Sequence, residues 1–309
     1  MAGGVNDGQR ERCVVGLIGA GIGASLSPAL HEREADRLGL RYLYRLIDIR
    51  ELGLTPDAVG DLVRQAGRLG FSGLNITHPC KQIVVEHLDA LAPEAADLGA
   101  VNTVVFSGGK AVGHNTDCTG FMESFRRGMP DAPMRHVVVL GAGGAGAAVA
   151  HAALSLGADR LTVVDLDRER SVALARSLGR RFGRARAAWA GRESLAPQLA
   201  SAEGLIHATP TGMASRAGVP MPLDLLRPDL WVADVVYRPL ETELLRHARA
   251  LGCRTLDGGG MAVFQAADSL RLFTGLEPDR ERMLRHFATL VERPASGATT
   301  RPSHRRRVR

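Results

Sequence analysis

The sequence predicts an α/β protein of two domains, and three observations carry that expectation. Short runs rich in Val, Ile and Leu alternate along the chain with segments of helical periodicity, the pattern of strands and helices in turn. At 309 residues the chain exceeds one typical domain and suits two, each with its own core. The prolines of MPDAPMR, residues 129–135, mark a loop that separates two sets of alternating elements.

In the first set, residues 14–18 (VVGLI) read as a strand and 28–38 as a helix opened by Pro28. Residues 42–47 form a second expected strand, and 56–69 carry helical periodicity. A short strand is expected at 73–76, a helix at 79–91 and another strand at 100–106. The glycines within 107–113 suggest a hairpin turn leading into a further short strand. A helix pattern at 118–127 follows. In the second set, HVVVL at 136–140 is a strand, followed by a glycine turn and a helix at 145–156. Then come a strand at 160–165, a helix at 168–178, and short strands at 205–208 and 230–235. After the glycine run 258–260, residues 261–273 and 280–291 read as closing helices.

The charge and cysteine patterns narrow the class. Net charge is +6, but the last nine residues hold five arginines, and without them the chain is close to neutral. Such a tail reads as solvated and disordered, so no nucleic acid is expected as a partner. Residues 137–158 contain no Asp, Glu, Lys or Arg, but the glycines at 141–146 break that stretch into strand, turn and helix, so no membrane span is expected. Cys13, Cys80, Cys118 and Cys253 lack metal or disulfide spacing, and the N-terminus shows no apolar leader. A cytoplasmic protein with reduced thiols and no metal is the expectation.

One glycine motif stands in the right context for a dinucleotide. Gly141, Ala142, Gly143, Gly144, Ala145 and Gly146 satisfy GxGxxG between a buried strand and a helix, and Asp165 closes the next strand. Glycines allow the tight turn and close backbone approach, and the helix N-terminus favours a pyrophosphate. Asp165 and Asp167 suit a ribose 2′-hydroxyl and repel a 2′-phosphate, which favours NAD, although Arg168 and Arg170 are nearby. An earlier run, Gly19, Gly21 and Gly23, also follows a strand but has Ala24 at the sixth position; it reads as a substrate loop.

The stretch 73–81, GLNITHPCK, is the most informative. If Pro79 opens a helix, Lys81 sits in its first turn, where the helix dipole opposes a cation and lowers the pKa of a proton-transferring amine. Asp117 and Ser27 each precede a helix pattern and have a bland reading as caps. His78 and His114 read as structural.

Taken together, SLSPALH, GLNITHPCKQ, GAVNTVV, GHNTDCTGF, GAGGAG, HATPTGM, DVVYRPLETELL and MAVFQAADSLRLFTG, in this order from residue 16 to about 277, resemble the shikimate dehydrogenase family. The likeness is greatest to its NAD-dependent quinate/shikimate branch. That resemblance implies a substrate-binding and catalytic domain over residues 1–118, completed by helices at about 261–293. It also implies a Rossmann-like dinucleotide domain over 119–260, with 294–309 left as the basic tail. It implies that Ser25 and Ser27 hold a substrate carboxylate, and that Thr77, Asn102, Asp117 and Gln265 contact ring hydroxyls. Lys81 and Asp117 would be the catalytic pair, Tyr237 a substrate-side tyrosine, and Val235 and Gly258 neighbours of the nicotinamide. The Asn-Arg-Thr of NADP-using members is replaced by Asp165, Leu166 and Asp167. The branch carries Ser-x-Thr-Pro in the carboxylate loop, where this chain has Ser25, Leu26, Ser27 and Pro28.

The implied activity is hydride transfer between NAD and a shikimate- or quinate-type alcohol, in a monomer or homodimer. Competing readings are a non-catalytic ligand sensor, a folate-linked dehydrogenase, and a dehydrogenase for an amino-substituted analogue. Lys81, Asp117 and the complete glycine motif weigh against the sensor, and SxSP with the Lys81/Asp117 pair weighs against the folate-linked enzyme.

Overall fold

The computed structural model describes residues 12–292, so the expected basic tail and the first eleven residues lie outside the described residues. In chain order the elements are β1 (Arg12–Gly19), α1 (Ser27–Arg37), β2 (Arg41–Asp48), α2 (Val59–Arg68), β3 (Gly73–Ile76), β4 (Ala90–Leu91), α3 (Pro93–Leu98), β5 (Thr103–Ser107), β6 (Lys110–His114) and α4 (Thr116–Gly128). There follow β7 (His136–Leu140), α5 (Gly144–Ser155), β8 (Arg160–Val164), α6 (Arg168–Phe182), β9 (Ala187–Ala190) and α7 (Leu195–Ser201). The chain continues with β10 (Gly204–His207), β11 (Trp231–Asp234), α8 (Glu243–Ala250), β12 (Thr255–Leu256), α9 (Gly259–Thr274) and α10 (Arg280–Val291).

These strands form two six-stranded sheets. The first has the order β2-β1-β3-β5-β6-β4 and is mixed: β1 pairs in parallel with β2 and β3, while β5 runs antiparallel to β3 and β6. The second, β12-β11-β10-β7-β8-β9, is parallel throughout. Continuous apolar runs suit its central strands, because helices cover both faces of a parallel sheet. Every residue of β7 and β10 is buried. Its strand order is that of a doubly wound dinucleotide fold, with the order reversing between β7 and β10.

Local chemistry explains most boundaries. Asp167 caps α6 by accepting the N–H groups of Glu169 and Arg170, and Gly183, at φ +101°, ends it. The β5–β6 hairpin turns at Gly108 and Gly109, both with positive φ, as a two-residue turn requires. Helix α9 packs on α4 and also touches α1, β1 and β5, while α10 packs on α1. Among the described residues no helix is long and apolar enough to cross a membrane.

Two expectations need correction. Residues 79–91 do not form an α-helix: a turn covers 79–82, a 3₁₀ helix spans Ile83–His87, and β4 pairs with β6. The β-branched run Ile83, Val84 and Val85 is a poor α-helix former, and the segment instead buries Val84 and delivers β4 to the sheet edge. Lys81 is therefore not in the first turn of an α-helix, and the dipole argument for its chemistry does not apply. Second, neither Asp117 nor Ser27 is a cap. The N-cap of α4 is Asn115, whose side chain accepts the Cys118 N–H, and α1 has Leu26 at its cap position.

Candidate active site

Lys81 is held by its backbone before its side chain is considered. Its carbonyl accepts the Val101 N–H at 2.8 Å, and Cys80 N–H donates to the Thr77 carbonyl at 2.8 Å, closing the turn. From this turn Lys81 Nζ reaches Asp117 Oδ2 at 2.6 Å, with both side chains largely buried. With the cap role taken by Asn115, the lysine is the hydrogen-bond partner that the structure gives the Asp117 carboxylate.

The pair sits against the glycine loop. A Cβ placed on Gly144 would lie 3.1 Å from Lys81 Cδ and 3.2 Å from its Cβ, so the lysine stem passes directly over the start of α5. The loop meets the requirements of a dinucleotide. Gly141 has φ +107°, a Cβ on Gly146 would lie 2.0 Å from the Gly141 carbonyl oxygen, and Gly143 faces open space. Ala142 N–H donates to Asp165 Oδ2 at 2.6 Å, and Asp167 N–H to Asp165 Oδ1 at 2.9 Å. Asp165 Oδ2 thus braces the glycine loop, while Oδ1 holds the segment that follows β8. Asp167 caps α6 and lies 3.2 Å from Arg170 Nε, while Arg168 stacks on Trp189 at 4.7 Å. On the far side of the loop, Val235 N–H donates to the His207 carbonyl, and a Cβ on Gly258 would lie 2.4 Å from the Val235 carbonyl oxygen.

On the first sheet, Ser25 and Ser27 hydroxyls stand 3.2 Å apart at the entry to α1. Thr77 follows β3 and packs so closely on Gly19 that a Cβ there would lie 2.3 Å from Thr77 Cγ2. Asn102 is buried and largely satisfied internally: Oδ1 accepts the Thr116 N–H at 2.7 Å, and Nδ2 donates to Thr116 Oγ1 at 2.9 Å. Gln265, on α9, donates Nε2–H to the Ala262 carbonyl at 2.9 Å. Tyr237 lies in the loop after β11, its ring 6.3 Å from Phe287, and burial raises its phenol pKa. His78 is exposed, and its pKa is lowered by partial desolvation and then by Lys81, Arg216 and Arg170. His114 lies 3.4 Å from Glu94.

A family model for the shikimate dehydrogenase substrate-binding domain matches residues 17–104. A shikimate dehydrogenase (NADP(+)) of Streptomyces avermitilis is 69% identical over 282 residues, 91% of this chain and 97% of the relative. The chain belongs to the shikimate dehydrogenase family. A quinate/shikimate dehydrogenase (NAD(+)) of Corynebacterium efficiens is 47% identical, covering 91% of this chain and 99% of the relative. Among solved structures, a quinate dehydrogenase from Corynebacterium glutamicum in complex with NAD is similar with a TM-score of 0.84 and 45% identity, over 91% of this chain and 100% of that one. Relatives of both cofactor classes are thus similar to this shikimate dehydrogenase family member.

One feature of the site escaped the sequence reading. Asn75, Thr103, Thr116 and Ser269 form a buried polar web behind Asn102. Asn75 Nδ2 donates to Thr103 Oγ1 and Ser269 Oγ, both at 3.1 Å, and Tyr44 donates to Asn75 Oδ1 at 2.8 Å. Tyr44 is buried, which raises its phenol pKa against the opposing hydrogen bond with Ser27. Asn75 and Thr116 stood inside the motifs GLNITH and GHNTD. Ser269 follows Gln265 by one helical turn, and its hydroxyl donates to the Gln265 carbonyl at 2.8 Å. A polar residue on the buried face of an apolar helix was the signal available for it.

Proposed function

We propose that this protein interconverts shikimate, and with it quinate, with the corresponding 3-dehydro ketone, using NAD in preference to NADP. The observation that carries this reading is the Lys81–Asp117 pair, 2.6 Å apart and packed onto Gly144 of the dinucleotide loop. It puts a proton-transfer group beside the loop suited to the cofactor's pyrophosphate.

The division of labour follows. The nicotinamide, when bound, supplies the acceptor or donor of the hydride. In the oxidising direction Lys81 takes the proton of the substrate hydroxyl as the C–H bond at the same carbon gives up its hydride. In reduction Lys81 returns that proton to the forming alkoxide. Asp117 orients the lysine and accepts a hydrogen bond from a neighbouring ring hydroxyl. Ser25 and Ser27 bind the carboxylate, and Thr77, Asn102, Tyr237 and Gln265 line the ring. Residues 1–118 with the closing helices form the substrate domain in this reading, and residues 119–260 the cofactor domain. Closure between them excludes water.

The cofactor preference rests on Asp165 and Asp167, whose carboxylates disfavour a 2′-phosphate. NADP has a specific argument in its favour: the Streptomyces relative is named for it, and Arg168 and Arg170 flank the same turn. Measuring kcat/KM for shikimate and quinate with each dinucleotide separates these readings. A preference for NADP would show that the arginines dominate. No turnover of either substrate with either dinucleotide would overturn the proposed reaction.

A further inference from the structure

At the C-terminal edge of the parallel sheet, a chain of buried polar groups lies outside the proposed chemistry. His207 ends β10 and Asp234 ends β11, and both side chains are fully buried. Asp234 accepts from three sides. The Val236 N–H and His207 Nδ1 approach Oδ1 at 3.0 and 2.9 Å, and the Thr242 hydroxyl approaches Oδ2 at 2.7 Å. An ionised carboxylate only accepts, so Nδ1 donates, and Nε2 is left to face Thr209 Oγ1 at 2.6 Å. Thr209 Oγ1 also receives the Thr211 N–H, and Thr242 caps α8 through the Leu245 N–H.

This chain ties together the turns that flank the dinucleotide loop. A Cβ on Gly141 would lie 2.7 Å from the Ala208 carbonyl oxygen and 3.2 Å from Thr209 Cγ2, so the His207–Thr209 turn backs the loop directly. The His207 carbonyl accepts the Val235 N–H at 3.0 Å, and Val235 in turn packs against Gly258. A dinucleotide lies across the reversal of strand order with one nucleotide half on each side. Asp165, after β8, marks the adenosine side; the turns after β10 and β11 lie under the other half.

We propose that His207 is a positioning residue that, through Asp234 and Thr209, holds the wall of the nicotinamide half of the cofactor cleft. The inference rests on dinucleotide binding at the glycine loop and not on the choice of substrate. Its consequence is asymmetric. Loosening this chain weakens the grip on the nicotinamide end and leaves the adenosine end alone.

Calorimetric titration of the full chain with reduced dinucleotide, in the phosphorylation state that the wild type binds more tightly, and with the matching ADP-ribose tests this. The variants are His207→Asn, Thr209→Val and their combination. Asparagine keeps a donor for Asp234 but is too short to reach Thr209; valine keeps the shape of threonine without its hydroxyl. Each single variant is expected to weaken the dinucleotide about tenfold, as a buried group loses its partner, while ADP-ribose affinity stays within about twofold. The double variant should bind no more weakly than the weaker single one, since both cut the same chain. Equal weakening of ADP-ribose, multiplicative effects, or an unchanged His207→Asn would overturn the proposal. If His207→Asn does not fold, Thr209→Val alone decides through the ratio of its two affinities. A wild type that binds ADP-ribose but not the dinucleotide would overturn the cofactor reading, and this proposal with it.

Discussion

At the end of β1 and at the end of β7 the chain makes the same move. A buried strand runs into closely spaced glycines, and an aspartate from the end of the neighbouring parallel strand turns back to brace them. Asp48 accepts the N–H groups of Gly21 and Ile22 at 2.9 and 2.7 Å; Asp165 accepts that of Ala142 at 2.6 Å. The corners differ in where the next helix begins. Helix α5 starts at Gly144, so its free N–H groups stand beside the loop over the open face of Gly143. Helix α1 starts only at Ser27, and the intervening turn offers the hydroxyls of Ser25 and Ser27 instead. One corner presents backbone N–H groups suited to a pyrophosphate, the other side-chain hydroxyls suited to a carboxylate. Glycine spacing alone does not separate the two; the distance from strand end to helix start does.

Lys81 lies between these corners, and removing it should leave both intact. Lys81→Ala is expected to lower turnover by roughly 10²–10⁴, the range for loss of a general acid–base group, with dinucleotide and substrate affinities changed far less. Steady-state kinetics beside equilibrium titration make the comparison, and retention of more than half the wild-type kcat would remove Lys81 from the mechanism.

The corners themselves can be set against each other with one methyl group. At Gly146 a Cβ meets the Gly141 carbonyl oxygen at 2.0 Å, so Gly146→Ala must shift the loop backbone. Overpacking of about 3 kcal/mol would weaken dinucleotide binding about a hundredfold. At Gly23 the nearest atom to a new Cβ is Glu51 Oε1 at 4.0 Å, and Gly23→Ala should change neither ligand's affinity. Similar dinucleotide losses in both variants would mean that the β1 corner also carries the cofactor.

The second sheet was the easier half to read from sequence. Residues 137–140 of β7 are an unbroken apolar run, and the glycine loop after them is followed at the expected distance by Asp165, so pattern and chemistry agree. The first sheet misled at residues 79–91, where a proline and spaced apolar residues imitate a helix start and tertiary pairing of β4 with β6 prevails. The strands β4, β9 and β12 are too short or too mixed to stand out, and all three lie toward sheet edges. The motifs GLNITHPCK and GHNTD contain the two residues that the fold brings together as the Lys81–Asp117 pair, but the helix dipole expected at Lys81 is absent. Its surroundings come from a turn, Val101 and Asp117, which are distant in sequence and carry no local signal.

Asp48 offers a quieter test of the β1 corner. Burial alone would raise its pKa, but the N–H groups of Gly21, Ile22, Arg50 and Glu51 outweigh it and hold the carboxyl below 3.8. A carboxylate depressed in the folded state contributes stability that is present above its unfolded pKa and lost as pH falls through the folded one. Asp48→Asn should therefore cost about 1.5–3 kcal/mol near neutral pH, with the difference from wild type shrinking below about pH 4. Denaturant midpoints across pH 2–7 read this out. A difference that does not change with pH would mean that the amide serves the corner as well as the carboxylate does.

The smallest effect concerns what the β1 corner selects. Shikimate holds its carboxylate in the plane of a ring double bond, whereas quinate has a saturated ring and a tertiary hydroxyl beside the carboxylate. In the proposed reading the Ser25/Ser27 loop meets a differently aimed carboxylate and one more polar group when quinate binds. A buried polar group without a partner costs about 1–3 kcal/mol, which is roughly one to two decades in kcat/KM. The Ser27 hydroxyl already shares its surroundings with Ser25 Oγ at 3.2 Å and with the buried Tyr44 phenol. Serine donates the same hydrogen bond as threonine but lacks the methyl that narrows its choice of rotamer. Shikimate should accordingly be turned over readily, with quinate less efficient by about tenfold, and Ser27→Thr should narrow that ratio. The measurement is kcat/KM for both compounds with NAD in wild type and variant. If quinate already equals shikimate in the wild type, the serine does not set the selectivity, and the loop tolerates either carboxylate through Ser25 alone.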